Sequence, residues 1–192
     1  MKRLLITGFD PFGGENRNPS WEAVSRLPDR VGEHMLCKLM IPTVFGTAAQ
    51  TVLETAAQFR PDVIICVGMA GGRDGVTPER IAVNIRDARI ADNAGNQPQG
   101  ELVKPDGPAA YFSTLPVGEM AEAIRGKGIP AAVSNSAGTF VCNDVMYTLL
   151  YRYADAGVRT GFIHVPRLPE QGDPNLPLEK TVEALIAAIS IL

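Results

Sequence analysis

The 192-residue sequence has little of several residue types on which secreted and metal-binding proteins depend. It contains only two histidines, three cysteines and one tryptophan. Three widely spaced cysteines do not form the framework of a disulfide-stabilised protein, and the cysteines and histidines show no zinc-ligand spacing. The sequence therefore predicts a cytoplasmic protein with at least one free thiol and no bound metal.

An excess of positive charge and a long hydrophobic run are also missing. The 18 Lys and Arg residues are outnumbered by 21 Asp and Glu residues, so the net charge of -3 does not favour nucleic-acid binding. The apolar stretch 184–192 is shorter than the roughly 20 residues needed to cross a bilayer, and the run 4–6 is too short for a signal peptide. We expect no nucleic-acid partner, no membrane association and no cleaved leader.

What the sequence does contain is an alternation of short apolar runs with helical patterns. A hydrophobic content of 45% and a charged content of 20% are typical of a globular chain with one core. The alternation predicts an α/β fold with a largely parallel sheet, in one domain covering residues 1–192. Strands are predicted at 3–7, 35–41, 63–67, 81–85, 131–134 and 161–165, and helices at 18–27, 43–59, 113–125, 141–153 and 177–189.

One cysteine lies where a nucleophile would be expected. Cys142 falls in the first turn of a predicted helix, where free N–H groups and the helix dipole lower the pKa of a thiol. The same N–H groups could hold the oxyanion of a tetrahedral intermediate. Cys66 and Cys37 lie inside predicted strands and suit the commoner role of a small buried hydrophobe.

A cysteine nucleophile needs a base, and the two histidines differ in their predicted positions. His164 is at the carboxyl end of a predicted strand, at the edge of the sheet expected for Cys142, whereas His34 begins a strand at the opposite edge. His164 is therefore the candidate base. A third residue should orient its imidazole. Spacing alone leaves four candidates open: Asp62, Glu79, Asp87 and Glu101.

Other functional classes find less support in the sequence. The glycine-rich segment 68–72 follows a strand but matches neither the P-loop nor the dinucleotide fingerprint, so no nucleotide cofactor is predicted. Two alternatives stay open. One is a nucleoside-phosphorylase-like transferase, whose activity would depend on phosphate. The other is a catalytically inactive peptide-binding protein, in which Cys142 would be unreactive.

Six sequence blocks occur in order along nearly the whole chain: GFDPFGG at 8–14 with NPS at 18–20, AGGR at 70–73, ER at 79–80, DN at 92–93 with GNQP at 95–98, SAGTFVCN at 136–143, and FIHVP at 162–166. Together they resemble the pyroglutamyl peptidase I family of cysteine peptidases. The resemblance implies a three-layer α/β/α sandwich around a mixed sheet, in a cytosolic enzyme that removes amino-terminal pyroglutamate from peptides without a cofactor. It also implies a homotetramer, the assembly common among bacterial members of the family.

The resemblance also assigns residues. It implies that Glu79, Cys142 and His164 are catalytic, and so selects Glu79 from the four open candidates. It places Arg89 near the site and gives Phe9, Phe12 and Phe140 the role of enclosing the lactam ring. One departure is Met69, where some relatives carry Gln; a methionine cannot offer the lactam a side-chain amide.

Overall fold

The computed structural model describes residues 1–192. Its strands are β1 (Lys2–Phe9), β2 (Arg30–Val31), β3 (His34–Ile41), β4 (Val63–Met69), β5 (Thr77–Pro78), β6 (Ile81–Val83), β7 (Ala110–Phe112) and β8 (Arg159–Val165). Its helices are α1 (Pro19–Ser25), α2 (Thr47–Phe59), α3 (Val117–Arg125), α4 (Val141–Tyr153) and α5 (Leu178–Ser190), with a 3₁₀ turn at Pro169–Gln171. No helix is long and apolar enough to span a membrane.

Six strands form the main sheet in the order β2-β3-β1-β4-β8-β5. The three inner pairings, which join β3, β1, β4 and β8, are parallel, while the short strands β2 and β5 close the two edges in antiparallel orientation. Parallel strands covered on both faces are apolar throughout, and β4 is a clear example because every residue from Val63 to Gly68 is buried. Strands β6 and β7 form a separate two-stranded sheet.

Helices cover both faces of this sheet, which makes the predicted α/β/α sandwich the observed fold. Alternate strand residues point to opposite faces. On one face Ile65 and Ile163 pack in a cluster with α1, α3 and α5. On the other face Cys66 and Phe162 pack in a cluster with α2 and α4.

Several predicted elements are wrong in detail. The predicted helix 43–59 begins only at Thr47, and the predicted strand 81–85 ends at Val83. The predicted strand 131–134 makes only two isolated bridges, from Ala131 to Val76 and from Ser134 to Glu79, because it runs beside the two-residue strand β5. The predicted start of the third helix at residue 113 is also wrong, since α3 begins at Val117. The hydroxyl of Ser113 instead accepts a hydrogen bond from the N–H of Leu115, in a local turn before the helix.

The long segment between β6 and β7, residues 84–109, is attached to one side of α4; we call this segment the excursion. Asn84 uses its side chain to hold Lys104 at both its N–H and its C=O. The Tyr147 hydroxyl donates to the carbonyl of Pro108, and the Tyr151 hydroxyl donates to Asp106. The excursion has little regular secondary structure but is pinned to the helix that begins beside Cys142.

Candidate active site

The carboxyl ends of β4 and β8 and the edge strand β5 meet at one corner of the sheet. Gly68 pairs with His164, and His164 pairs with Thr77 on the other side. The N–H of Glu79 donates to the carbonyl of Phe162, which extends the β5 pairing by one more bond. His164 and Glu79 are thus placed side by side by backbone register, although 85 residues separate them in sequence.

A buried hydrogen bond joins the two side chains. His164 Nδ1 lies 2.7 Å from Glu79 Oε1, with side-chain exposures of 5% and 0%. Burial alone raises the pKa of Glu79, but its interactions with His164, Ser134 and Arg73 together outweigh burial, so the pKa falls below its usual value. Burial lowers the pKa of His164, which the carboxylate only partly offsets. The pair therefore rests as a carboxylate and a neutral imidazole, whose free Nε2 can act as a base.

Arg73 is a third member of this cluster that the sequence reasoning did not select. Its Nη1 donates to the same Glu79 oxygen that faces His164, and also to Thr77 Oγ1. Its Nη2 donates to the carbonyl of Ser136 at 3.0 Å. The AGGR block ends on this residue, and that was the one signal from which its position beside Glu79 could have been found.

Cys142 enters the same corner from the first turn of α4. A Cβ placed on Gly68 would lie 2.9 Å from Cys142 Sγ and 2.8 Å from the Phe162 ring, so the thiol lies directly against the backbone of β4 next to His164. No side chain caps the helix at Phe140. The first N–H groups of α4 are therefore free to bind an anion.

The thiol pKa differs from the sequence-based expectation. The helix start predicts a lowered pKa, but burial raises the pKa of Cys142 to about 12, and the negative charge of Glu79 acts in the same direction. The loss of hydration on burial therefore has a larger effect on the pKa of Cys142 than the helix terminus has. Cys142 is thus a neutral thiol in the resting site and needs a base in order to react.

Three aromatic side chains lie together beside the start of α4. The rings of Phe12 and Phe140 have centroids 5.3 Å apart, and Phe45 meets Phe140 edge-on at 5.2 Å. We call these three rings the aromatic wall. Phe45 was not among the sequence candidates, because the helical spacing assigned it to the predicted helix 43–59, whereas α2 begins at Thr47. Phe9, which the resemblance placed at the lactam, is 2% exposed and packs against Phe162 in the core.

A cavity of about 510 Å³ opens beside the wall. It is lined by Phe12, Phe140, Arg89, Ile90, Asp87, Gly138 and Thr139. Arg89 is exposed at this cavity, and its carbonyl accepts a hydrogen bond from the Gln97 side chain of the excursion. Met69, half-buried, is the last residue of β4 and pairs with Val165.

The remaining sequence candidates lie elsewhere. Asp62 accepts a hydrogen bond from the N–H of Arg3 at the opposite edge of the sheet, where His34 is also buried. Glu101 pairs through its backbone with Arg86. Asp87 lines the cavity but makes only backbone contacts, with Thr139. No group of three His, Cys, Asp or Glu side chains is arranged to hold a metal ion.

Comparison with known proteins gives one consistent result. The sequence model of the pyroglutamyl peptidase family matches residues 2–192. A pyrrolidone-carboxylate peptidase of Levilactobacillus brevis is 53% identical, over 97% of this chain and 95% of the relative. That of Bacillus licheniformis is 52% identical, over 98% and 91%.

Solved structures agree with the sequence relatives. The crystal structure of pyroglutamyl peptidase I from Bacillus amyloliquefaciens superposes with a TM-score of 0.96 at 47% identity, covering 99% of this chain and 96% of the other. Pyrrolidone carboxyl peptidase from Thermococcus litoralis gives a TM-score of 0.95 at 37% identity, covering 100% and 93%. With sequence and fold both matched end to end, the chain belongs to the pyroglutamyl peptidase family of cysteine peptidases.

Proposed function

We propose that this protein removes an amino-terminal pyroglutamyl residue from peptides through a thioester intermediate on Cys142, with His164 as general base and Glu79 as the residue that orients it. The observation that carries the proposal is the buried Glu79–His164 pair beside a thiol at an uncapped helix start. Membership of the pyroglutamyl peptidase family supports the substrate class.

In the first half-reaction, His164 Nε2 takes the proton of Cys142 as Sγ attacks the pyroglutamyl carbonyl carbon. The carbonyl oxygen becomes an oxyanion, which the free N–H groups at the start of α4 can hold. The imidazolium then gives its proton to the leaving amine nitrogen, the C–N bond breaks, and a thioester is left on Cys142.

In the second half-reaction, His164 takes a proton from water, whose oxygen attacks the thioester carbonyl. The C–S bond breaks, the thiolate recovers a proton from His164, and pyroglutamate leaves. Because the resting thiol has its pKa raised to about 12, the thiolate forms only together with proton transfer. Glu79 assists at that moment, since a buried carboxylate at 2.7 Å stabilises the imidazolium.

The aromatic wall suits the neutral lactam ring of pyroglutamate. Terminal proline has the same ring size, but its amine is protonated, and burying an unpaired cation against Phe12 and Phe140 is costly. The one acidic side chain in the segment 8–14 is Asp10, and it accepts hydrogen bonds from the N–H and hydroxyl of Thr43. Asp87 also lines the cavity, but its side chain is exposed to solvent. Met69 has no amide, so we assign the ring N–H and C=O of the lactam to backbone groups.

The whole chain acts as one catalytic domain in this proposal, because the site draws residues from β4, β5, β8 and α4. Three unpaired cysteines suit a cytoplasmic location. The family resemblance further supports a homotetramer with pyroglutamyl peptides as its partners. Sedimentation velocity on the purified chain measures the oligomeric state, and a monomer at micromolar concentration would contradict that part.

The decisive experiment is hydrolysis of a pyroglutamyl-linked chromogenic amide by the wild-type protein and by three single variants. We expect C142S to lose turnover by at least about 10⁴-fold, because a serine hydroxyl is a far weaker nucleophile here. C37S and C66S are the matched controls and should retain turnover. Full activity in C142S, or its loss in folded C66S, would contradict the assignment.

The same assay separates the two alternatives. Activity that requires added phosphate would favour the transferase. Failure of Cys142 to react with iodoacetamide, together with no hydrolysis, would favour the inactive binding protein.

A further inference from the structure

We propose that Arg73 is a positioning residue that keeps Glu79 ionised and so fixes the neutral, base-competent state of His164; this inference rests on the proposed function. The guanidinium and the imidazole contact the same carboxylate oxygen, Oε1. The other oxygen, Oε2, is buried and has no hydrogen-bond partner. The guanidinium and the imidazole therefore meet at one of the two carboxylate oxygens, while the Ser134 side chain also favours the ionised form of Glu79.

The charges around the pair explain why a fixed cation is needed. The charged and titratable groups that face Glu79 and His164 are Arg73 and the Cys142 thiol, with Cys66 lying beyond the thiol. Both thiols and the resting imidazole are uncharged. Arg73 is thus the only permanent positive charge beside a fully buried carboxylate, and without it Glu79 would gain a proton more readily.

The same cation also lowers the proton affinity of the histidine. Glu79 raises the proton affinity of His164 and Arg73 lowers it, with burial also lowering it. Removing Arg73 therefore increases the proton affinity of the coupled pair, whichever member takes the proton. Protonation of either member removes the combination that the reaction needs, a carboxylate accepting from Nδ1–H and a free Nε2.

The planar guanidinium of Arg73 also makes a second contact, to the backbone. While Nη1 holds Glu79, Nη2 donates to the carbonyl of Ser136 in the segment that leads into α4 and Cys142. One side chain therefore spans the orienting carboxylate and the approach to the nucleophile. A lysine carries the same charge but is a point charge without the planar guanidinium, so it cannot make both contacts in this geometry.

Arg80 offers a matched control. It is an exposed arginine whose Nη1 donates to Asn135 Oδ1 at 2.8 Å, in the same segment as Ser136, and its side chain does not contact Glu79. Loss of Arg80 loosens that segment without changing the charge beside the carboxylate. It therefore separates a tethering role from an electrostatic one.

The test is the pH profile of kcat/KM on a pyroglutamyl amide for wild type, R73M, R73K and R80M. We expect R73M to move the acidic limb upward by about 1 pH unit and to lower the plateau by about tenfold or more, because an adjacent fixed charge shifts a buried pair by that order. R73K should keep the limb and lose part of the plateau, and R80M should change neither. In an E79Q background, R73M should lower kcat/KM by less than about threefold.

An unmoved acidic limb in R73M overturns the proposal even if the plateau falls, since a merely structural role would do that. An equal shift in R80M overturns it too. If R73M fails to fold by circular dichroism, R73Q removes the same charge in the same test, and an upward limb shift in R73K also overturns the proposal. The proposed function fails separately, through an inactive wild type or a fully active H164A.

Discussion

Glu79, His164 and Cys142, which we call the catalytic corner, lie beside the aromatic wall. The two groups of side chains are held in place by different means. Glu79 and His164 are positioned by strand pairing and are almost fully buried. Phe12 comes from the loop after β1, Phe140 directly precedes α4, and Phe45 lies two residues before α2, so the wall depends on contacts between half-buried side chains. The difference teaches that the chemistry is built on the rigid part of the fold and the recognition on its connections.

The sharpest way to test this contrast is to remove the base. We expect H164A to lower kcat by about 100-fold or more, with KM little changed, because no other side chain at this corner can take the thiol proton. E79Q should lower kcat by less, since it disturbs the orientation of His164 and leaves the ring in place. Steady-state kinetics on the same amide measures both, and a larger loss in E79Q than in H164A would reverse the roles.

A second prediction targets the backbone contact under the thiol. G68A should lower kcat by about tenfold or more and destabilise the protein by about 1–3 kcal/mol, because the added methyl overlaps Cys142 Sγ and the Phe162 ring. G118A in α3 is the matched control, since a Cβ there meets nothing within 4 Å. It should keep full activity and change stability by less than about 1 kcal/mol. Equal effects of the two variants would show that the thiol is not confined as described.

The third prediction moves to the wall. F12A should raise KM by about five- to tenfold and lower kcat by less, because Phe12 binds the ring and does not touch the reacting atoms. F112A is the control, as Phe112 is 68% exposed on β7. In parallel, the wild type should cleave pyroglutamyl amides and leave matched prolyl amides intact. Comparable kcat/KM for the two amides would contradict the recognition model and leave the catalytic corner untouched.

The smallest expected effect concerns the loop that carries Phe12. Arg17 forms ion pairs with Glu22 and Glu170 and so joins that loop to the segment after β8. R17A should raise KM by less than about fivefold, and the effect should fade at high salt, because exposed ion pairs contribute little. R26A, which breaks the exposed pair with Glu179, is the control. A loss of kcat in R17A would mean that the loop acts on the chemistry and not only on binding.

The central strands could be predicted from the sequence because β1, β4 and β8 are runs of apolar residues, and buried parallel strands need such runs. The edge strand β5 could not. It has two residues, one of them proline, and carries no periodicity. Because Glu79 follows this strand, pattern reasoning left it among four acidic candidates, and only the family resemblance selected it.

Side-chain environments were the harder part of the prediction. The helix start at Cys142 is visible in the sequence, but its raised pKa depends on β4, β8 and Glu79 converging on the thiol. Phe9 looks equivalent to Phe12 in the loop motif, yet it is the last residue of β1 and is buried in the core. Local sequence fixes which element a residue belongs to, whereas burial is decided by residues far away along the chain.

The attachment of the excursion to α4 affects local unfolding of the protein. Tyr147 and Tyr151 fasten that segment to the flank of the helix, and Asp144, fully buried in the same helix, is paired with Arg86 near the start of the excursion. Opening the excursion would leave Asp144 as an uncompensated buried charge. The backbone amides of the excursion should therefore exchange with solvent deuterium as slowly as those of α4. The excursion and the helix that carries Cys142 would then open together as one cooperative unit.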